Sequence, residues 1–300
     1  MQVRIMVRSI SRVLAVLCAA ALIASCSTVR LSYDHADWLL ARMAGQYVDL
    51  DKDQSRLLKA QIGDFHAWHR SQELPRYAAL FDDAASRLER GLQPGDVDWV
   101  MVAVRERGAV LGRQAGDDFA PVLARLNERQ LRQLQGRFEE DNRKFIKTQL
   151  AGDGADQVRR RSNWLCDQFE DFLGSLTPAQ RARITTLVQG FPDLPRVRLE
   201  ERKRRQATLV NLLQEHRGTA QLEPALARFL ADPDAQRSEA NRQAMQRWEQ
   251  AFAATLVELD HTLSPAQRRN AVARFRAYAA DFHELSRETG EAAARTASAQ

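Results

Sequence analysis

The chain has 300 residues, 44 Lys and Arg against 39 Asp and Glu, and a formal charge of +5. Residues 1–25 contain Arg4, Arg8 and Arg12 and no acid, so the charge of the remainder falls from +5 to +2. A balance that near neutral speaks against a dedicated nucleic-acid binder, and the length suits one large or two modest domains.

Taken from the start, Arg4, Arg8 and Arg12 precede an apolar run from Val13 to Ala24 and small residues at Ala24-Ser25. A basic lead, a short apolar middle and a small-residue junction predict a secretory signal peptide over 1–25. The run is well short of the ~20 residues needed to span a bilayer as a helix. Ile23-Ala24-Ser25-Cys26 resembles the lipobox of bacterial lipoproteins. That resemblance implies cleavage before Cys26, acylation of Cys26 and, with Ser27 following, an address on the periplasmic side of the outer membrane. Several acyl chains at about 0.8 kcal/mol per buried methylene would make the anchor permanent. With Cys18 removed and Cys26 acylated, only Cys166 is left, so no intrachain disulfide can form. Cys166 lies beside the apolar positions of its segment, where a buried, inert thiol is expected ahead of an intermolecular disulfide.

Beyond a short tether (26–33) the text is helical in period, rich in Arg, Gln, Ala, Leu and Glu. Helices are predicted over Ala36–Tyr47, Asp51–Arg70, from Pro75 to about Gly91, and over Asp96–Leu111. Gly112 to Gly116 are read as a break. Further helices are predicted over Asn127–Leu150, Asp156–Leu173, Thr177–Phe191, Arg196–His216, Pro224–Leu230, Gln236–Leu259 and Ser264–Leu285. Residues 289–300 turn to Ala, Thr, Ser and Gln and are predicted to be a disordered tail. Helices this short are marginal alone, and each apolar stripe must bury against another. The expectation is an all-α, multi-helix array.

Four segments share a spelling: Leu50-Asp51-Lys52-Asp53-Gln54, Leu126-Asn127-Glu128-Arg129-Gln130, Leu176-Thr177-Pro178-Ala179-Gln180 and Leu263-Ser264-Pro265-Ala266-Gln267. Asp51, Asn127, Thr177 and Ser264 can each cap a helix while Gln54, Gln130, Gln180 and Gln267 reach back to the cap's own amide. The leading Leu stands where it can pack on the helix start. Trp38-Leu39 and Trp164-Leu165 each lie twelve residues before such a Leu, and Glu73-Leu74-Pro75-Arg76 is echoed by Asp193-Leu194-Pro195-Arg196. Residues 34–150 and 156–288 therefore read as two copies of one antiparallel helical unit. The Thr177 and Ser264 boxes resemble the LTxxQ motif of the Spy/CpxP type of periplasmic stress proteins, which are small and all-helical. Tyr33, Trp38, Tyr47-Val48-Asp49-Leu50, Gln54, Trp68-His69-Arg70 and Glu73-Leu74-Pro75, with the lipobox, resemble an uncharacterised family of Gram-negative lipoproteins, a resemblance that implies fold and address but no activity.

Catalytic signatures are absent from the sequence: there is no Gly-x-Ser-x-Gly elbow, phosphate-cradling Gly loop, His-Glu-x-x-His or paired-cysteine metal motif. His66, His69 and Glu73 share a helix face at spacings of three and four, and could ligate Zn²⁺ with a water. The interleaved Phe65 and Trp68 favour the plainer reading of a core edge. The basic clusters Arg159-Arg160-Arg161 and Arg198 with Arg202-Lys203-Arg204-Arg205 read first as solvated faces, although anionic lipid beside a tethered chain would attract them. The expectation is a non-enzymatic, cofactor-free binding protein, chaperone-like or stress-related. It would be held to the membrane at Cys26, with another envelope protein as partner and an apolar concave face for it. The alternative is a metal-dependent envelope enzyme at His66, His69 and Glu73.

Overall fold

Each Leu-led box starts a helix in the computed structural model, which describes residue 30, residues 33–235 and residues 237–297. The helices are α1 (Ala36–Ala44), α2 (Lys52–Trp68), α3 (Leu74–Arg90), α4 (Pro94–Leu123), α5 (Glu128–Gln149) and α6 (Gly154–Leu173). They continue as α7 (Pro178–Gln189), α8 (Leu194–His216), α9 (Leu222–Ala231), α10 (Glu239–Asp260) and α11 (Pro265–Ala297). No strand occurs among the described residues, and the protein is an all-α multi-helix array. Cys26, the signal segment and most of the tether lie outside the described residues.

At the boxes, local chemistry and long-range packing coincide. Asp51 accepts from the Gln54 amide at 2.8 Å while Gln54 Oε1 accepts from the Asp51 amide at 3.0 Å. Asn127 with Gln130, Thr177 with Gln180 and Ser264 with Gln267 close the same reciprocal pair. Such caps contribute about 1 kcal/mol each. The glutamines do more. Gln54 Nε2 donates to Gln130 Oε1 at 3.1 Å and Gln130 Nε2 donates back at 2.6 Å. Their second N–H groups reach the Arg125 and Asp49 carbonyls at 2.7 and 2.8 Å. Gln180 and Gln267 repeat the arrangement, with Thr262 and Ser175 supplying the carbonyls. All four are buried, and every amide donor and acceptor position is used. Two helix starts are thus clamped head to head in each half.

Helices from residues 34–150 pack on helices from residues 156–288. One core cluster, around Leu126, Leu131 and Leu134, is completed by Leu213, Leu222 and Leu226 from α8 and α9. The other, around Leu165, Leu176, Ile184 and Leu259, takes in Leu88 from α3. Phe81 of α3 meets Phe275 and Phe282 of α11 at ring centroid distances of 5.4 Å. Arg268 of α11 bonds the Leu88 carbonyl at 2.6 Å. On the other side Asn142 of α5 donates to Gln206 of α8 at 2.7 Å. The two helices that open on acid-Leu-Pro-Arg, α3 and α8, each lie against the second Gln-capped helix of the opposite half.

Two boundaries differ from expectation. The predicted break at Gly112 to Gly116 is not there, and α4 runs unbroken from Pro94 to Leu123. Gly112 and Gly116 lie one turn apart on the face against α9. A Cβ on Gly112 would stand 2.3 Å from the Leu230 carbonyl oxygen, and one on Gly116 would stand 2.4 Å from the Ala227 Cα. These glycines permit backbone contact between helices instead of ending one. The second difference is at Pro75, where a separate helix is expected. A π-turn over His69–Glu73 joins α2 to α3, with the Leu74 amide bonded to the His69 carbonyl five residues back. Widening the turn just ahead of Pro75 accommodates the residue that has no N–H to give. At the other end, the helix-forming Glu and Ala residues that follow Gly290 carry α11 on to Ala297.

Candidate functional site

Between α3, α6, α10 and α11 the packing leaves a cavity of about 890 Å³, open on one side. That size lies within the range of about 300–1,000 Å³ typical of small-ligand sites. Its walls are apolar: Phe169 and Phe172 of α6, Trp248, Phe252 and Leu256 of α10, and Phe275 of α11. Trp248 and Phe252 stack, with ring centroids 5.2 Å apart, one helical turn from each other. Wide aromatic walls on rigid helices hold the cavity open, because neighbouring side chains are too bulky to collapse into it. Trp164, 62% exposed, stands at the opening.

Charge at this site is arranged asymmetrically. The two lining acids, Asp96 and Asp260, are both buried and neutralised. Asp96 accepts from Arg90 at 2.7 Å, from Arg87 and from the Gln93 amide at 2.9 Å. Those partners, Arg90 foremost, hold its carboxyl down at about 2. Asp260 is bridged by Arg268 at 2.8 and 3.1 Å and by the Leu92 amide at 3.0 Å. Arg160, Arg161 and Arg198 also line the cavity, and none has a carboxylate partner among the described residues. Arg160 reaches the Ala151 carbonyl at 2.5 Å. Arg161 makes one long bond, 3.5 Å to the Pro192 carbonyl, and its Nε is buried without a partner. Arg198 is exposed. The arrangement is an apolar interior behind a cationic opening.

His66, His69 and Glu73 are placed for other contacts. Tyr33 hydroxyl and His69 Nδ1 are 2.7 Å apart, and the Tyr33 ring lies 4.6 Å from the His66 ring. Burial lowers the pKa of both imidazoles, and it raises that of the Tyr33 hydroxyl. Glu73 is fully buried and bonded to Arg76 at 2.7 Å, with Arg107 at 3.4 Å. The π-turn between His69 and Glu73 changes the helical register on which their common face depended. Among the described residues no group of three or more His, Cys, Asp or Glu side chains is spaced to hold a metal ion.

Cys166 is buried, and burial pushes its thiol pKa up. The helix after the tether is of a different kind. None of α1 is buried, and Trp38, Leu39, Leu40 and Met43 are all exposed. The chain just before it is fastened to the body: Arg30 bonds Asp281 at 3.1 Å and Asp34 bonds Arg70 at 2.6 Å. No helix among the described residues is long and apolar enough to cross a membrane.

The cavity is what sequence reading missed. Its walls come from helices far apart in the chain, and no local pattern marks Trp248 and Phe252 as a wall instead of ordinary core. The only hint was Trp164, an aromatic on an otherwise polar face.

The chain belongs to the family of unknown function DUF6279, whose sequence pattern matches residues 46–242. The match begins at Gln46, beside Tyr47-Val48-Asp49-Leu50, and takes in two of the four walls of the cavity, α3 and α6, and the first three capping boxes. No curated protein and no solved structure matches the chain.

Proposed function

We propose that the protein is a non-enzymatic binding module of the bacterial envelope, tethered at Cys26 to the periplasmic side of the outer membrane. It shelters an apolar part of another envelope component in the α6–α10–α11 cavity, in the manner of a chaperone or stress-response adaptor. One observation carries this reading: an open cavity of about 890 Å³ with aromatic walls, in which both acids are already spent on structural arginines. Its lining is mostly hydrocarbon and its two carboxylates are bonded to arginines, so what it offers a guest is chiefly apolar contact area.

The exposed face of α1 supports the tether. Trp38, Leu39, Leu40 and Met43 follow Cys26 closely, and an acylated chain would lay them in the membrane interface, where Trp is favoured. The zinc alternative draws no such support, because Glu73 is held between Arg76 and Arg107 and His69 by Tyr33.

Two measurements test the reading. Metabolic palmitate labelling should be lost in Cys26→Ala, and the variant should leave the membrane fraction; unchanged sedimentation would refute the tether. A neutral apolar dye, N-phenyl-1-naphthylamine, should brighten on the protein and be excluded by Ala271→Trp, which fills the cavity. A dye that ignores both forms would refute the binding site.

A further inference from the structure

Resting on that binding reading, the geometry points to a particular guest: we infer that the cavity takes one long acyl chain whose head carries an anion, held at the opening by Arg161 and Arg198. Three observations combine. The interior is apolar, so the buried part of the guest must be too. The opening carries Arg160, Arg161 and Arg198 without a carboxylate among them, so an anionic head would supply the missing charge. The buried Nε of Arg161 has no acceptor, and a second of its nitrogens has only a long one, so this guanidinium has capacity for a head group.

Size argues for a single chain. At roughly 30 Å³ for a group as large as a water's share of the liquid, a sixteen-carbon chain occupies about half of the cavity. Two such chains would leave no room for packing. Trp164 at the opening adds an amphipathic ring where chain and head meet. An unmodified apolar peptide fits less well. Its backbone N–H and C=O groups would enter a space whose only acids are already neutralised and whose walls are mostly hydrocarbon. A fatty-acid carboxylate and the phosphate of an anionic lysophospholipid share the chemistry that fits.

The test uses the full chain with Cys26→Ala, so that neither the protein's own acyl groups nor detergent competes. The change in tryptophan emission, with Trp164 and Trp248 lining the cavity, reports titrations with decanoate, dodecanoate, dodecanoate methyl ester and lysophosphatidylglycerol, each below its aggregation threshold. Dodecanoate should bind about tenfold more tightly than its methyl ester at low salt, from charge-assisted bonds to arginine. Two added methylenes should tighten binding by about 15-fold. In Arg161→Gln/Arg198→Gln the acid and ester should bind alike, with the fold checked by circular dichroism, while naphthylamine binding persists. Preference for lysophosphatidylglycerol over dodecanoate would assign the source as lipid, and the reverse as free acid. Equal binding of acid and ester by the unaltered cavity would overturn the anionic head while leaving the apolar site standing. An apolar peptide displacing dodecanoate at lower concentration than dodecanoate displaces it would overturn the acyl guest. Failure of the neutral dye as well would remove the cavity reading on which this rests.

Discussion

Gln180 and Gln267 bond each other in both directions, at 3.1 and 2.9 Å, and each also completes the cap of its own helix. One side chain therefore serves a local and a distant function at once, and its removal has two costs. Gln180→Ala leaves the Gln267 amide, the Thr177 N–H and the Thr262 carbonyl short of partners in a buried place. It should destabilise the fold by roughly 2–4 kcal/mol, read from urea unfolding. Thr177→Ala, which removes only the cap, should cost about 1 kcal/mol. Gln54→Ala and Gln130→Ala should behave alike and be non-additive, since either change already breaks their shared pair.

Along α4 the glycines are not equivalent. Gly116→Val places carbon within 2.4 Å of the Ala227 backbone and should cost roughly 3 kcal/mol by forcing α4 and α9 apart. Gly108 has open space where its Cβ would stand. Gly108→Ala should stabilise the helix by about 0.5–1 kcal/mol. Thermal unfolding of the two variants should therefore shift in opposite directions.

Asp96 gives the protein an acid limit. Its folded pKa of about 2 lies below the ordinary 3.8, so the folded state holds the ionised form more firmly than the unfolded state does. The stability from this group is present above about pH 3.8 and is lost as pH falls toward 2. The gap in urea midpoint between the wild-type protein and Asp96→Asn should be wide at pH 6 and shrink across that interval. A gap independent of pH would show that Arg87 and Arg90 do not stabilise the carboxylate.

The thiol of Cys166 should be silent. Cys166 is buried and its pKa raised, so iodoacetamide at pH 8 should label it only as fast as the protein unfolds. Oxidising conditions should produce no disulfide-linked dimer. Rapid labelling of the native protein would place the thiol at the surface.

What could be read in the residues divides along a physical line. Asp51 with Gln54, or Thr177 with Gln180, announce a helix start because capping is settled within four residues. That the same glutamines would find each other across the fold was not legible, since nothing near Gln54 specifies Gln130. Gly112 and Gly116 were misread for a related reason. A glycine marks either a break or a close approach, and only the neighbouring helix decides which. His66, His69 and Glu73 are expected on one helix face, but the π-turn shifts their register, and Tyr33, Arg76 and Arg107 engage His69 and Glu73. The cavity depends on how α6, α10 and α11 diverge, a relationship that no single stretch encodes.

The packing of α3 on α11 has a consequence for how the chain is made. Arg268 closes on the Leu88 carbonyl across 180 positions, and the aromatic face of α3 stays unpaired until α11 arrives. Contacts that distant slow the search for the native state and keep an emerging amino-terminal portion loose. Were the chain exported as proposed, delayed closure would leave its amino-terminal portion threadable until α11 is made.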